Sequence, residues 1–208
     1  MLKLIIRQAN WGILGSIFAF AIGFFVKIYV IDIVGISNWG KYVSAHTFST
    51  FMDVFLTFGI PVVIVKFFPD LWKVNKEYAL QFLSKILKLS VVLSLLLIIT
   101  LYFVSPLLDE FLYTNIDGFS FILFLVALHT PISIFTGIIT ALYRSVLKIK
   151  EIIIYSTVIT VPIRAVLAFV IFQYTNNILY FIGIELFTTS LSLLLLFKRF
   201  NKDEYKLM

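Results

Sequence analysis

The chain has 208 residues, 61% of them hydrophobic and only 13% charged, with a net charge of +6 and no cysteine. A soluble domain carries about 25% charged residues, and a soluble fold of this length cannot keep so much apolar surface away from water. Lipid is the solvent that fits this composition, and the lack of thiols excludes disulfides, thiolate catalysis and Cys-based metal sites.

A membrane helix needs about 20 mostly apolar residues, and the chain predicts six of them. The first covers residues 11–33 and the second residues 42–65, separated by the polar stretch Ser37-Asn38-Trp39-Gly40-Lys41. An N-terminal secretory leader is the other reading of the start. Lys3 and Arg7 precede the apolar run, and Ala19-Phe20-Ala21 mimics a cleavage site. The run continues to Val30, interrupted only by Lys27, which favours a first span. Gly12, Ser16, Ala19 and Gly23 recur at helical spacing along it and predict a face for close helix packing.

Residues 66–88 form a basic segment. Within it Leu71, Val74, Tyr78, Phe82 and Ile86 recur at helical spacing, with Lys73, Lys76, Lys85 and Lys88 between them. That pattern predicts an amphipathic helix at the cytoplasmic surface that leads into the third span, either holding topology or recognising particular lipids. The third span covers residues 89–108 and the fourth residues 119–142. The last apolar stretch is too long for one helix, and Gln173-Tyr174-Thr175-Asn176-Asn177 divides it into spans at 152–172 and 178–197. Pro61, Pro131 and Pro162 fall within spans, where kinks are expected. The fold class is therefore all-α: a polytopic six-transmembrane-helix bundle.

Fourteen of the 17 Lys and Arg fall on one side of this layout, and only Lys41 on the other. The positive-inside rule places the 14-residue side, with both termini, in the cytoplasm. Basic residues placed between apolar runs orient a chain in a membrane and do not call for nucleic acid. The expected location is the cell (inner) membrane, with lipids as the surrounding partners.

Charge at membrane depth is costly, so each case is a functional candidate. Lys27 lies near the outer end of the first span. It either snorkels or pairs with Asp32, or else it lines a cavity. Asp53 lies about 16 Å inside the second span. A proton- or cation-coupling role and a structural ion pair are its two readings. Arg164 lies about 18 Å from the cytoplasmic end of the fifth span and keeps its charge in any environment. Either Glu185 in the sixth span pairs with it, or it faces an anion-binding cavity. His46 and His129 lie on different spans without a second ligand at helical spacing, so no metal site is expected. No phosphate loop, dinucleotide turn or nucleophile motif is present, and neither catalysis nor a cofactor is expected.

Residues 10–66 carry a more specific pattern. Asn10, Gly12 and Gly15 open the first span. Val34-Gly35 through Gly40 and Tyr42 form a short outer loop, and Gly59-Ile60-Pro61 precedes Lys66 near the second helix end. This order resembles the polysaccharide flippases, within the superfamily that also holds multidrug exporters and peptidoglycan-precursor flippases. Many members carry an Arg shortly before the Leu-Gly of that loop. Here Asp32 occupies the neighbourhood, with Lys27 a turn or more earlier as the substitute cation.

The resemblance implies two six-helix lobes around a central cavity, of which this chain looks like the N-terminal one. The missing lobe would be further sequence or a second chain. It also implies a lipid-linked oligosaccharide as substrate, moved by alternating access, with Arg164 and Lys27 meeting its phosphates. A cation- or proton-coupled drug exporter lobe using Asp53 is the alternative, and a non-transporting scaffold or inactive fragment is a third.

Overall fold

The computed structural model describes residues 2–57, 59–112 and 118–203. Every regular element among them is a helix: α1 (Leu2–Val34), α2 (Ile36–Thr57), α3 (Ile60–Val74), α4 (Lys76–Leu112), α5 (Phe119–Ala127), α6 (His129–Ser145), α7 (Ile149–Ile153), α8 (Thr160–Ile171) and α9 (Ile178–Asp203). A π-helical turn, Ile154–Val158, joins α7 to α8. Six stretches are long and apolar enough to cross a membrane: Gln8–Val34, Ile36–Val74, Lys76–Leu107, Phe119–Ser145, Ile149–Ile171 and Ile178–Phe200. The predicted six-helix polytopic bundle is the observed architecture.

The breaks have local causes. Gly35 makes a one-residue turn between α1 and α2 at φ +82°, a left-handed conformation that glycine adopts at no steric cost. Gly59, at φ +72°, ends the α2 segment, and Pro61 then sits in the first turn of α3, where its missing N–H is harmless. Pro131 removes the N–H that would bond to Ala127. The chain responds with a break at Leu128, whose N–H is shared between Phe124 and Leu125. Pro162 likewise removes the bond to Val158, and the preceding π turn absorbs the defect. Asn177 caps α9 by accepting from the Leu179 N–H at 2.9 Å, so the polar stretch 173–177 does divide the last apolar run.

The segment 66–88 differs from its expected form. It is two helices and not one, because Asn75 divides it in extended conformation (φ −157°, ψ 117°). Asn75 Oδ1 accepts from the Glu77 N–H at 2.8 Å and starts α4, which runs unbroken into the third span. The second span correspondingly continues to Val74 as α3. Ile60, Ile64 and Phe68 form the buried stripe of α3 and pack with Ile134, Ile138 and Leu142 of α6.

A second difference concerns α1. At Gly12 and Gly23 the small-residue face makes no close approach here, since a Cβ on either would meet no atom within 4 Å. The packed glycine is Gly15, where a Cβ would stand 2.6 Å from Ile153 Cγ2. The first span is accordingly only 11% buried, against 44% for the fourth, which lies at the centre of the bundle.

Four apolar clusters hold the helices together among the described residues, and two of them are large. One gathers at the Gly35 end, from Val30, Val34, Phe119, Leu123, Phe172, Phe181 and Ile182 among others. The second lies at the Asn75 end, around Ile64, Phe68, Ile86, Ile138 and Leu142. Between them, at mid-bundle, the facing side chains of α2, α6, α8 and α9 are polar.

Candidate functional site

The polar layer begins on α2. Tyr42, His46, Ser49 and Asp53 stand at i, i+4, i+7 and i+11, so one helix face carries all four. Tyr42 is 6% exposed. Its ring is held by Trp39 at 5.0 Å and Phe181 at 5.3 Å between centroids. This aims the hydroxyl across the bundle, where it donates to Glu185 Oε2 at 2.7 Å.

Glu185 also meets Arg164. The guanidinium Nη1 lies 3.3 Å from Glu185 Oε1, the Nε donates to Thr188 Oγ1 at 3.0 Å, and Nη2 reaches Thr189 Oγ1 at 3.4 Å. The π turn positions this arginine, because one extra residue rotates everything after it by about 100° relative to an uninterrupted α-helix. The Arg164–Glu185 pair of the sequence reading is thus formed. It is not sealed: the glutamate side chain is 12% exposed and the arginine side chain 31%. Both lie about 10 Å inside the Gly35 end of their helices.

His129, at the first position of α6, extends the network. Its Nε2 lies 3.1 Å from Thr189 Oγ1, the hydroxyl that already accepts from Arg164. The His129 ring faces that of His46 with centroids 6.1 Å apart, and His46 in turn faces Tyr42 at 5.7 Å. Deeper along α2, Ser49 Oγ and Thr130 Oγ1 share a hydrogen bond of 2.8 Å. Asp53 follows, about 25 Å along α2 because that helix starts at Ile36 and not at residue 42. Thr130 and Ser133 present hydroxyls to its carboxylate and His46 acts on it electrostatically. Its Oδ1 is closed off from solvent without a hydrogen bond among the described residues.

Two of the four candidates, Arg164 and Glu185, are in direct contact, while Asp53 lies about 15 Å deeper along the bundle. Lys27 is not part of the layer. It is exposed on α1, and no Lys27–Asp32 pair forms among the described residues. Tyr42, His46, His129, Thr188 and Thr189 complete the site beyond the sequence reading. The spacing 42, 46, 49 and 53 on α2, like 185, 188, 189 and 192 on α9, was the available signal: a polar stripe at helical period within an apolar span. Among the described residues no group of three or more His, Asp or Glu is arranged to hold a metal ion. A 580 Å³ groove between α8 and α9 lies away from this layer and is lined by apolar groups such as Leu167, Ile171, Leu179 and Phe187, as a lipid-facing surface would be.

The sequence signature of a family described as "Polysaccharide biosynthesis protein" matches residues 5–207. The chain belongs to this family. Membership of the polysaccharide biosynthesis family, together with six apolar spans, makes it a multi-pass membrane protein of polysaccharide biosynthesis or export. No curated protein and no solved structure matches the chain. The residues that carried the flippase resemblance now have physical roles in this family member: Gly35 supplies the left-handed turn, and Tyr42 is the hydrogen-bond donor that holds Glu185.

Proposed function

We propose that the chain is one lobe of a flippase that moves lipid-linked oligosaccharide across the cytoplasmic membrane by alternating access, with both termini cytoplasmic and a second lobe or chain completing the cavity. The observation that carries this reading is Arg164. It is a permanent cation near mid-bundle, held at three of its nitrogens yet 31% exposed. An unpaired guanidinium at the bilayer centre costs at least ~2.5–3.5 kcal/mol on insertion scales. Glu185 offsets that cost through one 3.3 Å contact and not a bidentate fork. A phosphate arriving at the exposed side offers the guanidinium a partner of the geometry that glutamate does not provide. Exchange of one anionic partner for another is the step at which substrate is recognised.

The test is export of the polysaccharide in cells that depend on this protein. Arg164→Ala is expected to abolish export by more than any fall in its membrane level accounts for, the double variant with Glu185→Ala to recover that level without export, and Arg164→Lys to restore only part, because Lys lacks the planar fork. Full export by Arg164→Ala would refute the reading. Asp53, with its sealed and unbonded Oδ1, favours a second reading as a cation- or proton-coupled exporter lobe of the same superfamily. In that case Asp53→Asn, and not Arg164→Ala, abolishes transport.

A further inference from the structure

A guanidinium carries five N–H groups. Three of those on Arg164 have partners among the described residues: Nε on Thr188, Nη1 on Glu185 and Nη2 on Thr189. One N–H on each Nη is left over, on a side chain that is partly exposed. A carboxylate that turns both oxygens to a guanidinium makes two parallel bonds, the geometry in which such pairs are strongest. The terminal torsion of a glutamate is broad, so nothing in the side chain itself prevents that turn. Glu185 does not make it. Its Oε1 lies 3.3 Å from Nη1, and its Oε2 accepts from the Tyr42 hydroxyl at 2.7 Å, the shorter of the two contacts. Tyr42 cannot follow a turning carboxylate. Its ring is buried against Trp39 at 5.0 Å and Phe181 at 5.3 Å, and those two rings stand 5.4 Å from each other.

We propose that Tyr42 is a positioning residue for phosphate recognition: by holding Glu185 Oε2 it limits the glutamate to a single contact and keeps Arg164 open to an incoming phosphate. The inference rests on the flippase reading of Arg164 and adds why that arginine is available. Before the phosphate arrives, one carboxylate oxygen and two threonine hydroxyls support the guanidinium, and the remaining N–H groups stay unclaimed. When the phosphate takes Arg164, Glu185 loses its cation but keeps the tyrosine donor, so the displaced carboxylate is not stranded without a hydrogen bond. A tyrosine that merely braced the pair would act with the opposite sign. Losing its hydroxyl would loosen Glu185 and leave Arg164 more open. In the positioning role, loss of the hydroxyl frees Oε2 to close the fork on the guanidinium, and phosphate then competes with a stronger partner.

The experiment is calorimetric titration of inorganic pyrophosphate into the full chain in phosphatidylcholine nanodiscs. The double variant Arg164→Ala with Glu185→Ala supplies the background from the other basic residues. Tyr42→Phe keeps the ring against Trp39 and Phe181, so the bundle should stay folded, and a thermal melt checks that. The expected result is that Tyr42→Phe weakens the Arg164-dependent binding about tenfold, the fold-change of one strong interhelical hydrogen bond. Glu185→Gln should tighten binding, because a neutral amide competes less for the guanidinium. On that background Tyr42→Phe should have no effect, since no anionic fork can form. Unchanged or tighter binding in Tyr42→Phe would overturn the inference. A tenfold loss that persists beside Glu185→Gln would overturn it too, by marking a structural effect of the missing hydroxyl. Both of those outcomes leave the flippase reading standing. Absence of any Arg164-dependent pyrophosphate binding in the wild-type chain would overturn the two together.

Discussion

Arg164 and Glu185 settle an alternative that residue types alone leave open. The two side chains meet, and three further groups, Tyr42, Thr188 and Thr189, hold them in place. Removing one partner strands the other's charge at membrane depth, which costs more than the pair itself contributes. Arg164→Ala is therefore expected to lower the thermal stability of the purified chain. The double change with Glu185→Ala should recover at least half of that loss, as a double-mutant cycle in nanodiscs would show. Tyr42→Phe removes a single hydrogen bond and should cost about 0.6–1.7 kcal/mol, the range for interhelical hydrogen bonds in membranes. Additive losses for Arg164→Ala and Glu185→Ala would mean that the 3.3 Å contact carries no coupling energy.

Among the helices, the packing of α1 separates a pattern from its use. Four small residues at helical spacing suggest a packing face, but among the glycines of α1 the close contact falls on Gly15, at the edge of that face. Gly15→Ala should push Ile153 aside and disturb the junction of α1 with α7, lowering stability by about 1–3 kcal/mol, the range for overpacked sites. Gly12→Ala and Gly23→Ala should be neutral or slightly stabilising, since alanine favours helix over glycine by about 1 kcal/mol. Thermal melts of the three variants check this, and a penalty at Gly12 equal to that at Gly15 would contradict the packing described. The division of residues 66–88 at Asn75 makes the same point. Apolar periodicity continues straight through that position, and a single capping asparagine interrupts it.

For the whole molecule, the charge distribution sets the expected orientation. Reporter fusions after Gly35, Asn115 and Asn177 should read external, and those after Asn75, Lys150 and Lys206 cytoplasmic. A cytoplasmic signal at Asn177 would merge the last two spans, against the cap that Asn177 supplies to α9. The purified 208-residue chain is expected not to translocate lipid-linked sugar after reconstitution, because the proposed flippase has two lobes and this chain is read as one of them. Sustained translocation by monomeric chain would refute the two-lobe proposal.

The sequence by itself determined the class and the number of spans. Uninterrupted apolar runs have no alternative solvent, and Gly35, Gly59 and residues 173–177 interrupt helices for reasons local to the backbone. It also supplied the family pattern that the match over residues 5–207 shows, and it singled out Arg164, Glu185 and Asp53, because charge within lipid is costly wherever the side chain points. What only the tertiary structure decided is which of these residues meet. Arg164 and Glu185 are 21 positions apart, and Tyr42 and Glu185 are 143 apart. Their contacts depend on the rotation of α8 by its π turn and on the packing of α2 against α6 and α9. His46 and His129 were unremarkable on separate spans and become neighbours at 6.1 Å only when those spans pack. Lys27 faces away from the layer for the same reason in reverse, since a helix position fixes its side chain's direction only once the neighbours of that helix are in place.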